Sequence, residues 1–103
     1  MRHSGTWMTL WDDRLLEVIR EEDSGAPTEL SDQDTIRVSR QHISRRLKKL
    51  AENGLLQPLG NGVYVITEEG EAYLDGEYDA EAGAYLNGAD DRNGPSASET
   101  SKS

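Results

Sequence analysis

The chain has 103 residues, of which 34% are hydrophobic and 30% charged, and its formal net charge is −9. This length and apolar content allow one small core, and no run of about 18 apolar residues is present, so we expect no membrane-spanning segment. The absence of cysteine excludes disulfides, thiolate metal sites and cysteine nucleophiles, and the N-terminus lacks a secretory signal, which predicts a cytoplasmic location.

The first predicted helix begins at Thr9 and ends near Asp23. Thr9 followed by Asp12 is typical of a capping box. The apolar residues recur on one helix face, namely Trp11, Leu15, Val18 and Ile19. Asp12 and the other acids are predicted to lie mainly on the opposite side. Trp11 is therefore predicted to be a core residue, whereas Trp7 either covers the core or packs in a dimer interface.

The next two helices carry clear start and stop signals. A short helix is predicted from Pro27 to about Gln33, since proline suits a first helical turn. A longer third helix is predicted to start after the N-cap Ser39 and to stop at Gly54. Its inner face consists of Ile43, Leu47, Leu50 and Ala51.

A β-hairpin is predicted next, because two apolar segments flank Gly60, Asn61 and Gly62. Pro58 places its strand at an edge, and Thr67 is predicted to cap a fourth helix. Residues 77–86, "EYDAEAGAYL", are predicted to continue as a second helical piece. Three tyrosines of this region either line a dimer interface or pack against the first helix: Tyr73, Tyr78 and Tyr85.

The resulting fold is mainly α with a small β-hairpin, in the order helix-helix-helix-hairpin-helix. This is the winged helix-turn-helix arrangement, in which the third helix enters the major groove of DNA. The sequence predicts a flexible N-terminus over residues 1–6, the winged-helix domain over 7–80 and an acidic, largely disordered tail over 81–103. Residues 87–103 contain no large apolar side chain that could offset the entropy of ordering.

The third helix concentrates positive charge in an acidic chain. Residues 35–51 contain no acid, and residues 37–49 hold six of the eleven Lys and Arg side chains. The alternatives are a solvated face, cations paired with the acidic C-terminal segment, or a DNA-binding surface. Arg40, Gln41 and Ser44 near the helix start favour DNA, because such side chains hydrogen-bond to base edges. Further along the helix, phosphate contacts are predicted for Arg46, Lys48 and Lys49.

The segments "VSRQHISRRLKKLAENGLL" and "GNGVYVITEEGEAYL" resemble the winged-helix regulators of haloarchaea that are similar to the phage phi-H repressor, and more broadly the MarR and PadR families. The resemblance spans roughly residues 7–78. It implies a sequence-specific DNA-binding regulator that is often a homodimer. It assigns the recognition-helix role to Ser39, Arg40, Gln41, Ser44, Arg45 and Lys48, and the wing to Gly60, Asn61 and Gly62.

The wing tip departs from this pattern, since it lacks the Arg or Lys with which many wings reach the minor groove. We therefore expect the wing to be a minor contact or purely structural. The acidic composition fits a salt-rich cytoplasm, where the Debye length is about 3 Å and repulsion between acids and DNA is screened. The same screening weakens counterion release, so base contacts must carry more of the affinity.

Other functional classes find little support. The two histidines have no partners at metal-ligand spacing, and no Gly-rich phosphate loop or catalytic set is present, so neither a cofactor nor an enzyme is expected. The predicted function is a double-stranded DNA-binding regulator, as a repressor that blocks polymerase access. The alternative is a winged-helix adaptor that binds proteins. The full predicted DNA-binding set is Ser39, Arg40, Gln41, Ser44, Arg45, Arg46, Lys48 and Lys49.

Overall fold

The computed structural model describes residues 1–86, which form four helices and two small antiparallel hairpins. The elements in chain order are α1 (Leu10–Glu22), α2 (Pro27–Ser31), α3 (Arg40–Glu52), β1 (Leu56–Gly60), β2 (Val63–Ile66), α4 (Glu68–Leu74), β3 (Tyr78–Asp79) and β4 (Ala84–Tyr85). The predicted winged helix-turn-helix order is confirmed, with β1 and β2 as the wing. None of these helices combines the length and apolar character needed to cross a membrane.

A single core lies where α1, α3 and α4 meet the base of the wing. α2 is shorter than predicted, ending at Ser31 rather than near Gln33, and it contributes Leu30. Each buried aliphatic side chain contributes roughly 1.5–3 kcal/mol relative to an exposed one. The fully buried core side chains include Leu15, Leu16, Ile19, Leu30, Ile43, Leu47, Leu50, Leu55 and Tyr73.

α1 starts with the predicted capping box, in which the Thr9 amide donates to Asp12 Oδ2 over 3.1 Å. Two side chains of this helix differ from the prediction. Trp11 is partly exposed and is not among the side chains of residues 1–86 that pack against the core. Asp12 is completely buried instead of facing solvent. The reason is its register with Leu16 and Ile19, which point into the core one and two turns later.

Both ends of α3 are capped by local hydrogen bonds. Ser39 Oγ accepts from the His42 amide over 3.1 Å, as expected of an N-cap. At the other end Gly54 has φ +82°, and the Leu55 amide donates to the Leu50 carbonyl over 3.0 Å. This is a Schellman motif, which stops the helix and turns Leu55 into the core.

The wing is a short hairpin whose outer strand is β1. The paired residues are Leu56–Ile66, Gln57–Val65, Pro58–Tyr64 and Gly60–Val63. Leu59 is an extra residue in β1 and forms a bulge. The other side of β2 is occupied, because Gly25 and Tyr64 exchange two backbone hydrogen bonds of 2.9 and 2.8 Å. The prediction that Pro58 lies in an edge strand is confirmed.

The junction between the wing and α4 is built around Thr67 and Gly70. Thr67 Oγ1 accepts from the Gly70 amide over 3.0 Å and donates to the Gly54 carbonyl over 2.6 Å. The Thr67 amide donates to the Leu55 carbonyl over 3.2 Å. Gly70 lies against that same carbonyl, where an added Cβ would collide with the Leu55 oxygen. Close packing of α4 on the base of the wing therefore requires glycine.

The prediction of a second helical piece over residues 77–86 is wrong, because this segment forms the β3–β4 hairpin. Gly76 and Gly83 have φ of +81° and +67°, which reverse the chain where a helix would continue. The rings of Tyr78 and Tyr85 pack edge to face with centroids 5.1 Å apart. These tyrosines and Tyr73 thus pack within the chain. Residues 81–86 belong to this hairpin rather than to a tail, and 87–103 lie outside the described residues.

Residues 1–6, predicted to be flexible, lie against α1 and α4. Arg2 Nη1 donates to Glu17 Oε2 over 2.6 Å, and Arg2 Nε donates to the Leu74 carbonyl over 3.0 Å. The hydroxyls of Ser4 and Tyr73 are hydrogen-bonded over 2.8 Å. Arg2 forms ion pairs with Asp13 and Glu17 of α1. These partners lie more than ten residues away in the chain, so the local sequence does not reveal the pairing.

Tyr73 should titrate at higher pH than an ordinary tyrosine side chain. Burial, with a 2.6 Å hydrogen bond to Asp13 Oδ1, raises the pKa of Tyr73 to about 12. Phenolate absorbance should show a late step that Tyr73→Phe removes and the control Tyr64→Phe retains. Because the folded pKa exceeds the unfolded value near 10, stability should fall as the pH rises from about 10 to about 12. A late step that keeps its full amplitude in Tyr73→Phe would contradict this.

Candidate nucleic-acid interface

One side of α3 is buried and the other is cationic. Ile43, Leu47 and Leu50 are completely buried and fix the rotation of the helix. The predicted contact residues on the opposite side are exposed, namely Arg40, Gln41, Ser44, Arg45, Lys48 and Lys49. The ion pairs within residues 1–86 involve Arg2, Arg20 and Arg46, so none of these four exposed cations is paired with a carboxylate there. This leaves a positive surface on an acidic protein.

Arg46, predicted as a phosphate contact, lies elsewhere. Its Nε and Nη2 donate to the two oxygens of Asp12 over 2.8 and 2.6 Å, and Nη2 also donates to the Trp7 carbonyl over 2.9 Å. The hydrogen bonds to Asp12 raise the pKa of Arg46. The Asp12 side chain is 0% exposed and that of Arg46 18%. Arg46 therefore links α3 to α1. Its guanidinium is already hydrogen-bonded within the protein, whereas the exposed cations of α3 are open to contact with phosphate.

Ser39, also in the predicted contact set, has a structural role. Its hydroxyl oxygen accepts from the His42 amide, although the residue itself is exposed. The hydroxyl hydrogen remains able to donate while the oxygen caps the helix. Ser39 thus lies at the edge of the cationic surface and also fixes where α3 begins.

An open groove of about 360 Å³ joins the start of α3 to the wing tip and the start of α2. Its lining residues are Ala26, Pro27, Thr28, Arg40, Gln41, Ser44 and Asn61. Three predicted contact residues of α3 and one predicted wing residue are therefore brought together. Among the described residues that line it, Arg40 is the one that carries a charge, and the other polar side chains are neutral hydrogen-bonding groups.

The wing tip is shaped by three consecutive residues with positive φ. The values are +106° for Gly60, +55° for Asn61 and +78° for Gly62. Asn tolerates this conformation better than most residues with a side chain, and glycine has no penalty. The tip thus presents backbone and one amide side chain beside α3.

Two residues of this region were not predicted as part of the site. Thr28 lines the groove, and the proline before it was the available signal, because it marks the start of α2. Asp12 holds Arg46, and its spacing from Leu16 and Ile19 was the available signal for burial. Within residues 1–86 no three His, Asp or Glu side chains lie close enough to hold a metal ion.

Comparisons with known proteins agree with this geometry. Residues 1–83 match the family described as winged helix-turn-helix phage repressor, a regulatory DNA-binding type and not an enzyme family. The chain is similar to the crystal structure of the PhiH1 repressor-like protein from Haloarcula marismortui, with 67% sequence identity and a TM-score of 0.83 over 84% of this chain and 98% of that one. No curated protein matches it. With its helix order, its wing and a match over most of its length, the chain belongs to the winged helix-turn-helix phage repressor family.

Proposed function

We propose that this protein binds double-stranded DNA in a sequence-specific manner, with α3 in the major groove, and represses transcription. The observation that carries the proposal is the cationic face of α3, whose exposed Lys and Arg side chains have no ion-pair partner within residues 1–86 and which continues into the groove beside the wing. Like charges at Arg45 and Lys49 lie one turn apart, an arrangement that costs a few tenths of a kcal/mol in the free protein. The phosphates of bound DNA would remove this cost, because they would neutralise both cations.

The contact residues divide by position along α3. Arg40, Gln41 and Ser44 lie near the helix start and line the groove, where base edges are within reach of a recognition helix. Arg45, Lys48 and Lys49 lie along the exposed side and suit phosphates, which fix position without reading sequence. We leave Arg46 out of this set because its guanidinium is bound to Asp12. Repression, rather than DNA binding alone, is supported by the repressor-like neighbour.

The test is Arg45→Glu combined with Lys48→Glu. Bound fragments are first selected from genomic DNA with the unsubstituted protein, and affinity is then measured by fluorescence anisotropy at several salt concentrations. The two changes should weaken binding at least about tenfold, because each places a carboxylate where a cation would face a phosphate. The slope of log affinity against log salt should lose about 0.9 for each phosphate contact removed.

The matched control is Arg14→Glu combined with Arg20→Glu on α1. This pair changes the net charge by the same amount but lies off the α3 surface. It should leave affinity within a few-fold. Equal losses in both pairs would show that only overall charge matters and would contradict the α3 assignment. If the unsubstituted protein selects no DNA, the protein-binding adaptor becomes the better reading.

Repression is tested with a reporter gene placed downstream of the selected DNA. Deletion of the gene encoding this protein should raise reporter output, because nothing then obstructs polymerase. Arg45→Glu with Lys48→Glu should reproduce the deletion. Unchanged output after deletion would count against repression while leaving DNA binding intact.

A further inference from the structure

The turn that joins α2 to α3 carries one cation outside the predicted contact set, Arg37. Residues 21–36 contain six acids and no Lys or Arg, so Arg37 is the first cation of the basic segment. Its neighbours face inward, since Ile36 is buried and Val38 packs against the core, whereas Arg37 itself is exposed. Its guanidinium therefore lies at the protein surface just before α3 begins.

One hydrogen bond holds the Arg37 side chain and leaves its outer end open. Arg37 Nε donates to the Asp34 carbonyl oxygen over 3.1 Å, so Nη1 and Nη2 remain as donors. Within residues 1–86 Arg37 forms no ion pair, although Asp32 and Asp34 lie in the same turn. The positive charge is thus not neutralised by a carboxylate in this part of the chain, and two adjacent nitrogens are presented side by side.

The alternative is that Arg37 only stabilises the turn. The turn has backbone hydrogen bonds of its own, from the Gln33 amide to the Leu30 carbonyl and from the Ile36 amide to the Gln33 carbonyl, each 3.1 Å long. The buried Ile36 side chain also anchors the turn in the core. The bond from Arg37 is exposed, and an exposed hydrogen bond replaces one to water and adds little to stability. The turn is therefore held without Arg37.

The location of Arg37 favours a phosphate over a base edge. Arg37 precedes the N-cap Ser39 by two residues, so it lies at the end of α3 that lines the groove beside the wing tip. Arg37 is not among the residues that line this groove. A cation beside a recognition helix but outside the groove meets the sugar-phosphate backbone rather than the bases. Two adjacent guanidinium nitrogens also match two phosphate oxygens in spacing.

We propose that Arg37 binds one DNA phosphate through Nη1 and Nη2 and holds the start of α3 on the duplex. The proposal rests on the proposed DNA binding and adds a contact ahead of the helix, whereas Arg45, Lys48 and Lys49 lie further along it. The hydrogen bond to the Asp34 carbonyl orients the guanidinium before DNA arrives, so less side-chain freedom is lost on binding.

The first test compares Arg37→Gln with the unsubstituted protein on the selected DNA and on a duplex of shuffled sequence. Arg37→Gln should weaken binding to both by the same factor, about fivefold, because a phosphate contact carries no sequence information. The slope of log affinity against log salt should lose about 0.9. The control is Arg14→Gln, which removes an exposed cation from α1 and should leave the affinity and the slope nearly unchanged.

Two further measurements locate the contact. Arg37→Lys keeps the charge but loses the bond to Asp34 and the paired nitrogens, so it should keep the salt slope and lose about twofold to threefold in affinity. The second uses a set of duplexes in which one phosphate at a time is replaced by a neutral methylphosphonate. At one position the replacement should weaken binding by the unsubstituted protein and have no further effect on Arg37→Gln, because the two changes remove the same contact.

Each result has a definite meaning. An unchanged salt slope in Arg37→Gln would overturn the proposal and assign Arg37 to the turn alone. A loss confined to the selected sequence would overturn it too, since Arg37 would then read bases. Full affinity in Arg37→Lys, or methylphosphonate effects that are the same in both proteins at every position, would contradict the two-nitrogen phosphate contact. Failure of the unsubstituted protein to bind any duplex would instead overturn the proposed DNA binding.

Discussion

Asp12→Ala is expected to lower the free energy of unfolding by about 3–5 kcal/mol, the range for removing one partner of a buried ion pair. Asp12 is completely buried and accepts from Arg46 Nε and Nη2 and from the Thr9 amide. Its removal leaves the Arg46 guanidinium largely enclosed without a counter-charge, and it also removes the capping box of α1. Urea unfolding followed by tryptophan fluorescence measures the change.

Two further variants show whether the ion pair is the cause. Glu21→Ala removes an exposed carboxylate from the same helix and should change stability by less than about 0.5 kcal/mol. Asp12→Leu with Arg46→Met replaces both charges by apolar groups and should be much less harmful than Asp12→Ala, since no buried charge is left unpaired. A double variant as unstable as the sum of its single changes would contradict this account. Arg46→Met should also retain DNA affinity in the folded fraction.

Gly70→Ala is expected to destabilise the fold by about 2 kcal/mol or more, as overpacking against rigid neighbours does. The new Cβ would collide with the Leu55 carbonyl oxygen and approach Ile66 Cγ1 to 2.7 Å. That carbonyl also accepts from the Thr67 amide, so it cannot retreat without disturbing the base of the wing. Alanine is a better helix former than glycine by about 1 kcal/mol, which acts in the opposite direction. A net loss of stability therefore measures the collision.

The control for Gly70→Ala is Glu69→Ala in the same helix. Glu69 is the residue before Gly70 and is not the one that lies against the Leu55 carbonyl. Its replacement should change the free energy of unfolding by less than about 0.5 kcal/mol. Equal stability of the two variants would mean that α4 can move away from the wing. The Gly70→Ala protein should also show altered near-ultraviolet circular dichroism, because the completely buried Tyr73 lies in the same helix, three residues after Gly70.

The main helices and the wing were predictable because their signals are local. Ser39 caps α3, Gly54 ends it in a left-handed conformation, and the Gly-Asn-Gly turn reverses the wing. Each device acts within a few residues, so the sequence pattern alone encodes it. The same holds for Thr67 at the start of α4.

The terminal segments were not predictable in this way. Residues 77–86 have composition compatible with a helix, but Gly76 and Gly83 adopt positive φ and the Tyr78 and Tyr85 rings pair across the hairpin. Residues 1–6 gain their order from Arg2 and Ser4, whose partners lie on α1 and α4. Such partners are distant in sequence, and tertiary contacts of this kind override local preference.

The cationic face of α3 was predictable from spacing, but the fate of each cation was not. Arg45 and Arg46 are adjacent and chemically identical, yet one is exposed and the other is bound to Asp12. The helical period separates them by about 100°, and only the position of α1 decides which one meets a buried acid. Local patterns thus identified the surface and could not assign every residue on it.

The Asp12–Arg46 ion pair affects how the structure of the protein responds to concentrated salt. Dissolved ions weaken attraction between exposed charges but act far less on this pair, in which the Asp12 side chain is completely buried and that of Arg46 is 18% exposed. The angle at which α3 is presented should therefore stay constant from dilute buffer to concentrated salt. If the proposed function holds, ionic strength should change the affinity for DNA and leave the orientation of α3 unchanged.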